Sequence, residues 1–155
     1  MLARYNRIAN ERLYEKCAEL TDAEYRKQRE GSFGSIHALL NHILRGDRIW
    51  MSRFEGGGRA TPALNTVLFE DFSALRRARV EQDACIESFF GRLGVDFPGW
   101  SFSYTNNQGK DYVEAAPVAF GHFFNHQTHH RGQVHCMLTQ AGSKPSDTDL
   151  PFLPD

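Results

Sequence analysis

The chain has 155 residues and a mass of 17.7 kDa, with 41 % hydrophobic and 24 % charged residues. This is ordinary globular usage at the length of one domain, which argues against disordered and fibrous classes. A net charge of −1 disfavours a phosphate-driven nucleic-acid binder, and no apolar run approaches the roughly 18 residues of a membrane span.

The N-terminal stretch MLARYNRIANERLYEKC carries charges throughout and lacks the apolar core of a secretory signal, so the expected location is cytoplasmic. From about Leu2 to Leu20, the residues Ile8, Leu13, Tyr14, Cys17 and Leu20 recur at three- to four-residue steps and predict an amphipathic helix. Thr21-Asp22-Ala23-Glu24 reads as a capping box that starts a short second helical piece, broken by Gly31 and Gly34. Ser35 is the expected N-cap of a helix from about Ile36 to Phe54, with Ile36, Leu39, Leu40, Ile43, Trp50 and Phe54 on its stripe. Gly56, Gly57 and Gly58 end it and open a loop through Pro62 toward Asn65.

A third long helix is expected from about Phe69 to Leu93, closed by Gly91 and Gly94. The segment from Val95 to Glu114 differs. Trp100 to Tyr104 alternates, Asn106 to Gly109 is a turn signal, and Asp111 to Glu114 can return, which predicts a small hairpin or ordered loop. Its stretch from Trp100 to Tyr112 is a candidate lid or dimer contact. Pro117 suits the first position of the last helix, which runs to about Ala141, where Gly142 supplies a C-cap and Pro145 a stop. The tail from Ser143 to Asp155 is expected along the surface. Four long helical segments predict an all-α four-helix bundle in a single domain over residues 1–155, with the small loop or hairpin before the last helix.

Three cysteines, Cys17, Cys85 and Cys136, form no CxxC pair, so neither a zinc ribbon nor a thioredoxin motif is present. They read as small buried thiols, with Cys136 the more suspect because it follows a histidine cluster. Five of the seven histidines, His122, His126, His129, His130 and His135, fall within fourteen residues. On a helix His126 and His130 differ by about 40° and stand one turn apart, so both imidazoles can reach one metal. They sit at the edge of the stripe formed by Phe120, Phe123, Val134, Met137 and Leu138. A further ligand must come from elsewhere, and His42 on the shoulder of the second long helix is available. His37 lies about 140° from His42 and faces away. The pair lacks the intervening glutamate of HExxH, so that type of metalloprotease is not supported.

The run GHFFNHQTHHRGQ from Gly121 to Gln133 resembles the last-helix signature of the DinB family (the DinB/YfiT-like superfamily). The run LLNHILRGDRIW from Leu39 to Trp50 resembles that family's second-helix signature, and the order of elements extends the likeness over nearly the whole chain. The resemblance implies a four-helix bundle, usually homodimeric, with a divalent metal held by His42, His126 and His130. His122 and His129 then stand behind the ligands or on the surface. Family members include thiol-dependent enzymes such as bacillithiol transferases and a mycothiol-dependent isomerase.

Three neutral imidazoles leave a divalent metal its full charge and at least one open position. Water or a thiol reaching such a metal becomes far more acidic. Two reaction classes follow for a small-molecule substrate: transfer of a low-molecular-weight thiol to an electrophile, or hydrolysis. A non-catalytic metal-binding scaffold of the stress response is the competing class, and a fourth protein ligand such as His122 would mark it. Imidazole ligation suits Zn, Ni, Fe or Cu. Asp47 and Gln133 are candidates for orienting the imidazoles, Gln133 in the neighbourhood of His126. Arg131 is expected to be structural or else to hold a substrate carboxylate.

Overall fold

A computed structural model describes residues 1–57, 66–106 and 108–150. The expected loop through Pro62 to Asn65 and the last residues of the tail lie outside the described residues. Those described form five α-helices and one two-stranded antiparallel sheet: α1 (Leu2–Ala18), α2 (Asp22–Arg26), α3 (Ile36–Phe54), α4 (Phe72–Gly91), β1 (Ser101–Thr105), β2 (Asp111–Ala115) and α5 (Ala116–Gln140). The chain is therefore mostly helical. The long helices α1 and α3 each pack against both α4 and α5. No helix among the described residues is long and apolar enough to cross a membrane.

The helix starts follow the local signals. Ser35 Oγ accepts from Ala38 N–H at 3.1 Å, and Thr21 Oγ1 accepts from Glu24 N–H at 3.2 Å. The capping box is only half closed, because the Glu24 carboxylate turns instead to Lys27 and Arg29. The third long helix begins at Phe72, three residues later than expected. Asp71 caps it through Ala74 N–H at 2.7 Å, and Asn41 Oδ1 accepts from both Leu68 and Phe69 N–H, holding that backbone out of the helix. At the end of α5, Gly142 has φ +79° while Ser143 N–H reaches Leu138 C=O at 3.0 Å. Glycine adopts that left-handed conformation without a Cβ clash.

The hairpin forms where the alternation placed it. Phe102 pairs with Glu114 and Tyr104 with Tyr112, whose rings stack at 5.6 Å. Phe102 is buried against Phe54 of α3 and Phe120 of α5. Ala116 N–H then bonds to Trp100 C=O at 2.9 Å, so the hairpin leads directly into α5.

The apolar interior has two parts. One is mostly aliphatic, with Leu13, Ile36, Leu39, Leu40, Leu44, Leu75, Val134 and Leu138. The other is aromatic, centred on Phe54, Phe102, Phe120 and Phe123. A further buried set is polar and ties all four long helices together. Arg79 on α4 pairs with Asp47 on α3 and donates from Nε to Asp83 Oδ2 at 3.1 Å. Asp83 also accepts from Asn6 and Asn10 of α1, at 3.1 and 3.0 Å. From α5, Gln127 donates to Asp47 at 2.7 Å and Arg131 donates to Asn6. Buried charges require such partners, since an unpaired one costs several kcal/mol.

Candidate metal centre

His42 on α3 meets His126 and His130, one turn apart on α5. Their potential ligand nitrogens all lie within 4.8 Å of one another. His42 Nε2 and His126 Nε2 are 3.2 Å apart. Metal–nitrogen bonds of about 2.0–2.1 Å in a tetrahedral site separate two ligand nitrogens by roughly 3.3 Å. The pair already stands at that edge length, so the residues fit a divalent metal ion. Among the described residues the group comprises these three histidines; the His122 ring lies further along α5, 5.9 Å from that of His126.

The close approach depends on Gly46 in the middle of α3. A Cβ at that position would lie 2.9 Å from His126 Cε1. A side chain there would hold the two helices apart or turn the ring. Glycine in a helix interior costs about 1 kcal/mol relative to alanine, and here the exchange admits an imidazole. Gly121 and Gly132 inside α5 face open space instead, so a helical glycine does not by itself mark such an approach, and Gly46 was not singled out from the sequence.

The three imidazoles are set up to be neutral. Burial first, then repulsion by His130, pulls His42 down to about 4; burial and the neighbouring rings pull His126 down to about 3. Burial also lowers His130, against the pull of its hydrogen bond to Gln133. Neutral rings have a lone pair to offer a metal.

Two of the three rings have a side-chain partner at Nδ1. Gln133 Oε1 lies 2.7 Å from His130 Nδ1, so Nδ1 carries the proton and Nε2 keeps the lone pair. Gln133 thus serves His130 rather than His126, because one turn on a helix brings residues i and i+3 together. Its amide nitrogen faces His129 Nε2 at 3.2 Å. Arg45 Nη2 is 3.1 Å from His42 Nδ1 and donates to it, which leaves the proton of neutral His42 on Nε2, toward His126. Phe33, from the segment before α3, covers the group with ring centroids 4.2 Å from His42 and 5.2 Å from His130. Neither Arg45 nor Phe33 was foreseen from the sequence.

The other expected residues lie elsewhere. Asp47 is buried with Arg79 and Gln127 as its partners, not a site histidine; it is neither an orienting carboxylate nor a solvated charge. Arg131 is buried, donates to Asn6 and lies over the Tyr5 ring, away from the three histidines. His37 is turned away from the site, as expected, yet is buried against Tyr25, with Nδ1 3.4 Å from the hydroxyl. Cys17 is buried and its thiol is pushed up to about 12 by that burial, whereas Cys85 and Cys136 are exposed. The hairpin reaches the edge of the site through a chain of rings: Tyr104 against Trp50 at 5.4 Å, and Trp50 against His122 at 4.9 Å.

Beside His42 opens a cleft of ≈ 250 Å³, lined by Phe33, Asn41, His42, Arg45, Thr66 and Val67 among others. A polarising ion next to such a cleft can act on a small molecule that enters it.

The model of the DinB family matches residues 1–155. A protein of Bacillus subtilis (strain 168) named Protein DinB is 26 % identical over 159 residues, which span 96 % of this chain and 88 % of that protein.

Proposed function

Because the chain belongs to the DinB family, we propose that His42, His126 and His130 hold a divalent transition metal, zinc, nickel or iron, for a thiol-dependent S-transfer reaction. The observation that carries this reading is the set of three imidazoles, one nitrogen pair already at a metal-site edge length, beside an open cleft. Three protein ligands leave a position for a reactant, whereas structural zinc sites close with four.

When bound, the metal supplies charge that lowers the pKa of a thiol or water reaching it. The chain's own residues do the rest. Gln133 holds His130 in the tautomer that presents Nε2. Gly46 lets His126 approach α3. Phe33 shields the imidazoles on one side from water. The thiol of a small co-substrate would give up its proton to solvent, its sulfur would bond to the electrophilic carbon of the second substrate, and the leaving group would depart with the electron pair of the bond that breaks. In this reading the four long helices form one four-helix-bundle domain that acts as a homodimer in the cytoplasm; a monomer mass by light scattering would contradict the dimer.

The test is elemental analysis of protein purified without an affinity tag, beside the His126→Ala variant. About one transition metal per chain in the first and none in the second is expected. Full stoichiometry in the variant overturns the ligand set. Metal-loaded protein is then assayed for thiol consumption with electrophilic substrates and for ester and amide hydrolysis. Turnover confined to the hydrolysis assays replaces the transferase reading, and none in either leaves a metal-binding scaffold.

A further inference from the structure

Arg45 is 4 % exposed, yet no carboxylate pairs with it among the described residues. Its Nη1 donates to Thr66 C=O at 2.9 Å and its Nη2 to His42 Nδ1, while its buried Nε–H has no acceptor among the described residues. Residues 58–65, which lead into Thr66, contain no Asp or Glu. The other buried arginines behave differently: Arg79 is held by two carboxylates, and Arg131 lies in the network that contains them. A buried guanidinium without a counter-charge costs several kcal/mol, and a divalent cation at the histidines would raise that cost.

The guanidinium lines the cleft beside His42. The side-chain amide of Asn41 in the same wall is already committed, its oxygen to Leu68 and Phe69 N–H and its nitrogen to His37 and Phe69 C=O. Arg45 is thus the charged group that the cleft offers. A neutral imidazole that ligates through Nε2 carries its proton on Nδ1 and no longer accepts from Arg45. A metal held by His42 through Nε2 would therefore free the Nη2–H, which shares one edge of the guanidinium with the unused Nε–H. Two parallel N–H groups on one edge match a carboxylate.

We propose that this cleft is a carboxylate subsite, in which Arg45 binds the acid group of a small thiol whose sulfur reaches the site formed by His42, His126 and His130. The inference rests on the thiol reading above and names the substrate class: a low-molecular-weight thiol bearing a carboxylate a few bonds from its sulfur.

The test uses cobalt-substituted protein, in which thiolate ligation produces a near-ultraviolet charge-transfer band. Wild type and Arg45→Met are titrated with 3-mercaptopropionate and with 2-mercaptoethanol. A charge-assisted pair of hydrogen bonds predicts that wild type prefers the acid by about tenfold or more. Arg45→Met is expected to lose that preference while keeping its affinity for 2-mercaptoethanol and its metal. Equal binding of the two thiols by wild type, or an undiminished preference in Arg45→Met, overturns the subsite. Absence of the band with both thiols sinks the thiol reading instead. The subsite is then decided by calorimetry with propionate on zinc-loaded protein, where binding by wild type and none by Arg45→Met supports it, and no binding by wild type overturns it. If Arg45→Met does not fold, Arg45→Lys takes its place. It keeps the charge without the fork, so its preference is expected to fall at least about threefold; an unchanged preference counts against the subsite.

Discussion

Gly46 of α3 and His126 of α5 face one another so closely that a methyl group at position 46 would come within 2.9 Å of the imidazole Cε1. The substitution Gly46→Ala sets two effects against each other. Alanine favours the helix by about 1 kcal/mol, but the ring must yield by several tenths of an ångström. The ring is the softer partner, so the denaturation midpoint should hold or rise while metal affinity, measured by competition with a chelator, falls about tenfold or more. Unchanged affinity would show that the ring has room the geometry does not reveal.

His42→Ala and His130→Ala are each expected to abolish stoichiometric metal binding. His37→Ala and His135→Ala are expected to retain it, since neither belongs to the group of converging nitrogens. His37→Ala should show its effect in stability, because the ring is buried against Tyr25. Metal content by elemental analysis separates the two sets.

Gln133→Leu removes the acceptor of the His130 Nδ1 proton. Partners of this kind are worth roughly 10–100-fold in metal affinity, and a loss of that size is expected. Gln133→Glu retains an acceptor and should recover most of it. Equal losses in both variants would point to packing rather than to the hydrogen bond.

Arg79→Met leaves Asp47 and Asp83 buried without their cation. Breaking a buried pair from one side costs about 3–5 kcal/mol, a large part of the total for a chain of this size. Urea denaturation measures it. Asp47→Asn is expected to lower stability as well while preserving one metal per chain in folded protein, because Asp47 contacts no site histidine.

The depressed histidine values carry a signed pH dependence. In the unfolded chain these rings take up protons below about 6.5; in the folded, metal-free protein His42 does so near 4 and His126 near 3. The unfolded state therefore binds more protons in that window, and these two residues withdraw stability as pH falls from about 6.5 toward 4. Asp83, pushed up to about 6 by burial, acts with the opposite sign between about 3.8 and 6. The difference between wild type and His126→Gln removes the Asp83 contribution. The variant should lose less stability than wild type over the same interval, and parallel curves would contradict the depressed value at His126.

Several elements of the fold were legible because their causes are local. Ser35, Thr21 and Gly142 act on backbone groups within a few residues of themselves, and the alternation from Trp100 to Tyr104 meets its return strand across a short turn. The start of α4 was misplaced for the opposite reason: Asn41, twenty-seven residues upstream of Leu68, claims the backbone that would have begun the helix. Gln133 was placed near the site by helical periodicity, yet which ring it serves required the rotamers.

Sequence alone determined the helical periodicity, the one-turn spacing that puts His126 and His130 on the same side of α5, and the availability of His42, since all of these follow from positions along single helices. Tertiary structure alone decided that Asp47 belongs to Arg79, that Gly46 makes room for His126, that Phe33 covers the imidazoles, and that Arg45 stands buried with no carboxylate partner among the described residues. Those relationships join groups far apart in the chain or set a side chain against an environment supplied by other elements. They depend on how helices are rotated and seated against one another, which no local periodicity specifies, and the physical chemistry of the site resides in them.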